Sequence, residues 1–96
     1  MQVVSVPQLQ ELRDFVLKRL CSLDNLDPEQ TPMFEGKIYR RGDWCGLFFH
    51  VQGPRLLKSY ALWSAADHRI YFYDSTGARV DVVHLSESPA LERPAA

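Results

Sequence analysis

The sequence predicts an α+β fold: an N-terminal amphipathic helix packed on one face of an antiparallel β-meander of four to five strands. Three observations point there. Apolar residues recur at helical spacing near the N-terminus. From Gly36 to Leu85, β-rich runs alternate with turn residues. Within that region stands Tyr71-Phe72-Tyr73, and a strand must divide such a triplet between its two sides, because neighbouring side chains point oppositely.

The helix is expected over residues 6–23. Ser5 followed by Gln8 fits a capping box, with Val4 and Leu9 placed as a hydrophobic staple and Pro7 in the first turn. Leu9, Leu12, Val16, Leu20 and Leu23 fall at spacings of three and four and share one stripe. Residues 24–35 form an acidic connection punctuated by Pro28 and Pro32. They are no calcium loop: Leu26 and Pro28 stand where oxygen ligands are needed, and Glu29 stands where the sharp turn needs glycine.

Turn chemistry sets the strand registers. Gly42-Asp43 suits a two-residue hairpin loop, which pairs Arg41 with Trp44, Tyr39 with Gly46 and Ile38 with Leu47. The loop at Gly53-Pro54 pairs Val51 with Leu56 and puts Tyr60 and Leu62 on the face of Leu47 and Phe49. Asp74-Ser75-Thr76-Gly77 suits a type I turn with a left-handed glycine, which pairs Asp74 with Ala78, Phe72 with Val80 and Ile70 with Val82. With only one helix and no crossover between consecutive strands, a parallel sheet is not expected. The chain reads as one domain over 1–96, with a folded core at about 4–86 and a flexible tail at 87–96.

These registers sort the side chains onto two unlike faces. Ile38, Leu47, Phe49, Val51, Leu56, Leu62, Ile70, Phe72, Val80 and Val82 form the expected core, with Lys58 as a misfit at its rim. Tyr39, Arg41, Trp44, Phe48, Trp63, Arg69, Tyr71, Tyr73 and Arg79 form an aromatic and basic second face, together with Lys37 and His50. Trp, Tyr and Arg are the residues enriched at binding hot spots. One helix cannot cover both faces, so the second is the expected interaction surface. Its simplest occupant is a second copy of the chain. Alternatively, the acidic connection and the tail fold over it, with Met33, Phe34 and Leu91 as a second layer.

Charge and motifs limit the other classes. Eleven Lys+Arg against 12 Asp+Glu leave a net charge of −1, which gives no bulk attraction to nucleic acid or anionic lipid. Single-stranded nucleic acid is the runner-up ligand, because rings stack on bases and Arg meets phosphate. Arg69-Ile70-Tyr71-Phe72-Tyr73 nonetheless lacks the glycines of an RNA-recognition strand. No nucleophile motif, phosphate loop or zinc-protease signature occurs, so an enzyme ranks third and no cofactor is expected. His68 and His84 are the weak metal candidates, opposite each other at a hairpin end with Cβ atoms ~5 Å apart; zinc needs three or four ligands. Cys21 and Cys45 read as a reduced intracellular pair. Without a basic, apolar leader or a membrane-length apolar run, the sequence suggests a cytoplasmic protein.

Overall fold

The computed structural model describes residues 2–53 and 58–90. In chain order the elements are β1 (Val3–Ser5), α1 (Leu9–Asp24), β2 (Met33–Arg40), β3 (Asp43–Val51), β4 (Tyr60–Ser64), β5 (Arg69–Tyr73) and β6 (Arg79–Glu87). The fold is α+β, with one helix and a six-stranded mixed sheet in the order β1-β6-β5-β4-β3-β2. Strands β2 to β6 form the antiparallel meander. Strand β1 adds to it in parallel, with Val3 opposite His84 and Val4 opposite Leu85. This corrects the expectation of a purely antiparallel sheet. The helix and the whole meander together serve as the long connection that a parallel pair requires.

The same strand corrects the helix start. Ser5 is spent on the sheet, where its Oγ donates to Glu87 Oε1 at 3.0 Å. The N-cap is Gln8, in extended conformation and without a side-chain cap bond. The helix therefore begins three residues later than the capping box suggested. It ends at Asn25, which takes the left-handed conformation (φ 55°), and Leu26 N–H closes onto Cys21 C=O at 2.8 Å. Its stripe buries Leu12, Val16, Leu20 and Cys21, whereas Leu23 stays exposed. Burial pushes the Cys21 thiol up, only partly offset by a hydrogen bond with Thr31.

Each expected hairpin register is displaced, by one residue beyond the bulges of the first and third hairpins and by three residues in the second. The first turn is Arg41-Gly42, both at positive φ (54° and 84°), and it closes on Arg40 and Asp43. This is the primed turn whose twist matches the strands. Cys45 is then the extra residue of a bulge, so Tyr39 faces Trp44 and Ile38 faces Gly46. In the second hairpin Val51 N–H bonds Ser59 C=O at 3.2 Å, and Phe48 faces Leu62 while Leu47 faces Trp63. The expected partner of Val51, Leu56, lies outside the described residues. The third turn forms as expected, with Asp74 N–H on Ala78 C=O at 3.0 Å and Gly77 at φ 88°. Beyond it Val80 bulges, so Phe72 faces Asp81 and Ile70 faces Val83. The bulge turns Asp81 toward the helix, where Arg19 donates to it at 2.9 Å.

A slip by an odd number of residues moves a whole strand's side chains to the other face. The core under the helix is therefore Leu47, Phe49, Val51, Ala61, Trp63, Ile70, Phe72, Val83 and Leu85. Of the expected core members, Ile38, Leu62 and Val82 lie on the opposite face, and Val80 is 45% exposed in its bulge. Trp63, expected on the open side, is 0% exposed. At Gly46 the strands approach so closely that a Cβ would stand 2.0 Å from the Trp63 carbonyl oxygen. Glycine is needed there for space rather than for its dihedral freedom.

Candidate interaction face

The face of the sheet turned away from α1 is built in three rows. Across β2 to β6, the first row carries Phe34, His50, Tyr60, Tyr73 and Arg79. The second carries Gly36, Phe48, Leu62, Tyr71 and Val82, and the third Ile38, Gly46, Ser64, Arg69 and His84. The surface is thus aromatic at one end and polar at the other.

The rings of the first row support one another. Phe34 stacks on His50 with centroids 5.0 Å apart and planes 19° apart. Tyr60 stacks on Tyr73 at 4.8 Å and 9°. Phe48 bridges the two stacks, 5.7 Å from His50 and 5.8 Å from Tyr60. The Arg79 guanidinium lies 5.8 Å from the Tyr71 ring centroid, within cation–π range. Such cross-strand pairs hold rings upright on a sheet. They leave their outer edges open: Phe34 is 49% exposed, and Phe48, Tyr60, Leu62, Tyr71 and Tyr73 are half-buried. The buried His50 Nδ1 has no partner among the described residues. Beside this ring a shallow depression of about 420 Å³ is lined by Phe48, His50, Lys58, Tyr60 and Ser75. Lys58 is exposed at its margin and is no inward misfit.

No second layer forms from the described residues expected there: Phe34 joins the open face itself, as a residue of β2. Met33 and Leu26, from the acidic connection, pack against the core. Pro89 is buried, and with Ala90 it lines a hollow shared with Pro7, Leu9 and Trp44 near the start of α1. Leu91 lies outside the described residues.

Of the eleven side chains expected on the open face, six are there: Phe48, His50, Arg69, Tyr71, Tyr73 and Arg79, while Lys37 lies on the helix side opposite Leu47. Trp63 is core, and Trp44 packs against the core with its indole N–H on Gly46 C=O at 2.7 Å and Lys37 Nζ 4.6 Å from its ring centroid. Tyr39 faces Trp44 and is 60% exposed, while Arg41 occupies the first turn. Phe34, Ile38, Tyr60, Leu62 and Val82 were missed. The alternation of the strands contained them all, but its phase depended on two bulges and one loop length.

Other clusters offer less chemistry. His68 and His84 are not partners: His84 faces Arg69, while the His68 carbonyl accepts from Leu85 N–H at 2.8 Å. The Val80 bulge separates them by shifting the register. His68 Nδ1 lies 2.8 Å from Ser88 Oγ, and no carboxylate bonds this imidazole among the described residues. Among those residues no group of three His, Cys, Asp or Glu is placed to hold a metal. None of their helices is long and apolar enough to cross a membrane.

Known proteins add nothing to this geometry. No family model matches the chain, and no curated protein or solved structure matches it significantly. The open face must speak through its own residues.

Proposed function

We propose that this chain is a small non-enzymatic binding and assembly module, which works as a homodimer and takes a protein partner on its open sheet face. The carrying observation is the row from Phe34 to Tyr73, an upright aromatic ladder that no described segment covers. Exposed apolar patches of this kind mark interaction sites. Aromatic edges rimmed by Lys58, Arg69 and Arg79 suit a partner with an apolar centre and acidic flanks. The ring stacking disfavours the nucleic-acid alternative. Tyr60 and Tyr73 present their flat faces to each other, whereas base stacking needs those faces free.

The test is selection from a random peptide display library on the immobilised protein. Enriched peptides should be apolar with acidic flanks, and should bind at least about tenfold more weakly to Tyr73→Ser and Tyr60→Ser variants that keep the wild-type circular dichroism. Absence of enrichment, or peptides that bind the variants equally, would refute the reading.

A further inference from the structure

The two edges of the sheet are protected unequally. Strand β1 is three residues long, with a register irregularity between Val4 and Ser5. Shortness and irregularity are ordinary defences of an edge. Strand β2 is eight residues long, contains no proline and is exposed over most of its length. Its bulge lies on the neighbouring β3, so its own backbone runs unbroken. The first turn closes on Arg40 and Asp43 as a hydrogen-bonded pair. By alternation, the backbone groups of Tyr39, Lys37, Glu35 and Met33 then point outward from the edge, away from β3.

The outward pattern of β2 is self-complementary. Glu35 and Lys37 flank Gly36, and both lie on the helix side, opposite Phe49 and Leu47. In an antiparallel pairing of two β2 strands centred on Gly36, Glu35 of each copy faces the partner's Lys37. Phe34 faces the partner's Ile38 on the open side, and the two glycines meet at the axis. A Cβ at Gly36 would touch nothing within the chain, so the monomer itself leaves this position unfilled. A parallel, in-register pairing would oppose Glu35 to Glu35 and Lys37 to Lys37, which is unfavourable. The carboxylate is also fixed at the edge, since Arg13 donates to both of its oxygens at 2.6 and 3.0 Å.

From this we infer that a second copy of the chain adds at the β2 edge, in the antiparallel register centred on Gly36. The inference rests on the homodimer proposed above but not on the aromatic face. The contact is isologous and closes at two chains. It joins two six-stranded sheets into one and sets the two aromatic faces side by side, free for another protein.

Charge reversal tests the register. The full chain, studied by sedimentation equilibrium from micromolar to millimolar concentration, should be a dimer. Glu35→Lys and Lys37→Glu should each raise the dimer Kd by about tenfold or more, because each places like charges opposite at both ends of the axis. Mixed in equal amounts, the two variants should form a heterodimer with a Kd within about threefold of wild type. In that mixture the lysine introduced by Glu35→Lys in one chain meets the glutamate introduced by Lys37→Glu in the other. Tyr73→Glu should leave the dimer intact. A wild-type monomer throughout the range would overturn the inference. So would a mixture no tighter than either variant alone, or a dimer abolished by Tyr73→Glu yet indifferent to both reversals. A peptide selected on the open face that still binds the charge-reversed variants would show the face reading to stand by itself.

Discussion

The two faces of this sheet are made by the same strands and are nearly equal in aromatic content, yet they do different physical work. Under α1, Trp63, Phe49 and Phe72 are fully buried, and Phe15 meets Phe72 edge-on at 6.4 Å. On the far side, Phe34 is covered by His50, and Tyr60 and Tyr73 by each other, with Phe48 between the two stacks. Composition does not separate core from surface here; coverage does. Tyr71-Phe72-Tyr73 shows this within three residues: the middle ring is core, and its neighbours stand on the open face.

The largest expected difference between the faces is in stability. Trp63→Ala should cost about 3–5 kcal/mol, enough to unfold much of the population of a small domain. Trp63→Phe should cost far less, because the indole N–H it removes is buried without an acceptor among the described residues. Tyr73→Ser, on the open side, should stay within about 1 kcal/mol of wild type in urea unfolding. If the two sites proved equally costly, the open face would be covered and the contrast would fail.

A smaller effect is expected at the seam between the faces. Gly46→Ala places a methyl against the Trp63 carbonyl. Overpacking of this kind costs about 1–3 kcal/mol. Thermal unfolding would measure it, and an unchanged midpoint would mean that β3 and β4 separate more readily than their register implies.

The smallest effect lies in the third turn, away from both faces. The Thr76 side chain, followed by backbone N–H groups of Thr76, Ala78 and Gly77, holds the Asp74 carboxyl below its ordinary range. A depressed carboxylate stabilises the fold above its unfolded pKa of about 3.9 and loses that contribution as pH falls through the folded value. Asp74→Ala should therefore unfold at lower urea than wild type near neutral pH. The gap should close as pH drops below about 4. A gap that persists in acid would assign the effect to chain geometry rather than charge.

Much of this architecture was legible in the sequence, for reasons particular to each element. The helix stripe from Leu12 to Leu20 is strict, so its buried face was fixed by periodicity alone. Asp74 to Gly77 carries the residues its turn demands, and that turn formed as expected. The phase of the strands was less accessible. Cys45 and Val80 carry no local mark of a bulge, and each moves its flanking residues to the opposite face. The bulge at Val80 is rewarded by Asp81 meeting Arg19, a contact across 62 positions that no local rule supplies. Trp63 and Tyr60 change sides for a different reason, because the loop after β3 sets Val51 against Ser59 rather than Leu56, and Phe34 falls in the stretch that the sequence reads as the acidic connection. Among the described residues an aromatic face does stand on the side away from α1, and it includes Phe48, His50, Arg69, Tyr71, Tyr73 and Arg79 of the expected members but not Trp44 or Trp63.

Hydroxyl-radical footprinting of the assembled protein reports ring by ring which face meets water. Oxidation is expected at Phe34, Tyr60 and Tyr73 at concentrations where the chain is dimeric, with Trp63, Phe49 and Phe72 unreactive. Protection of Phe34, Tyr60 and Tyr73 to the level of Phe72 would show that the aromatic ladder is buried, and would contradict an open face that waits for a partner.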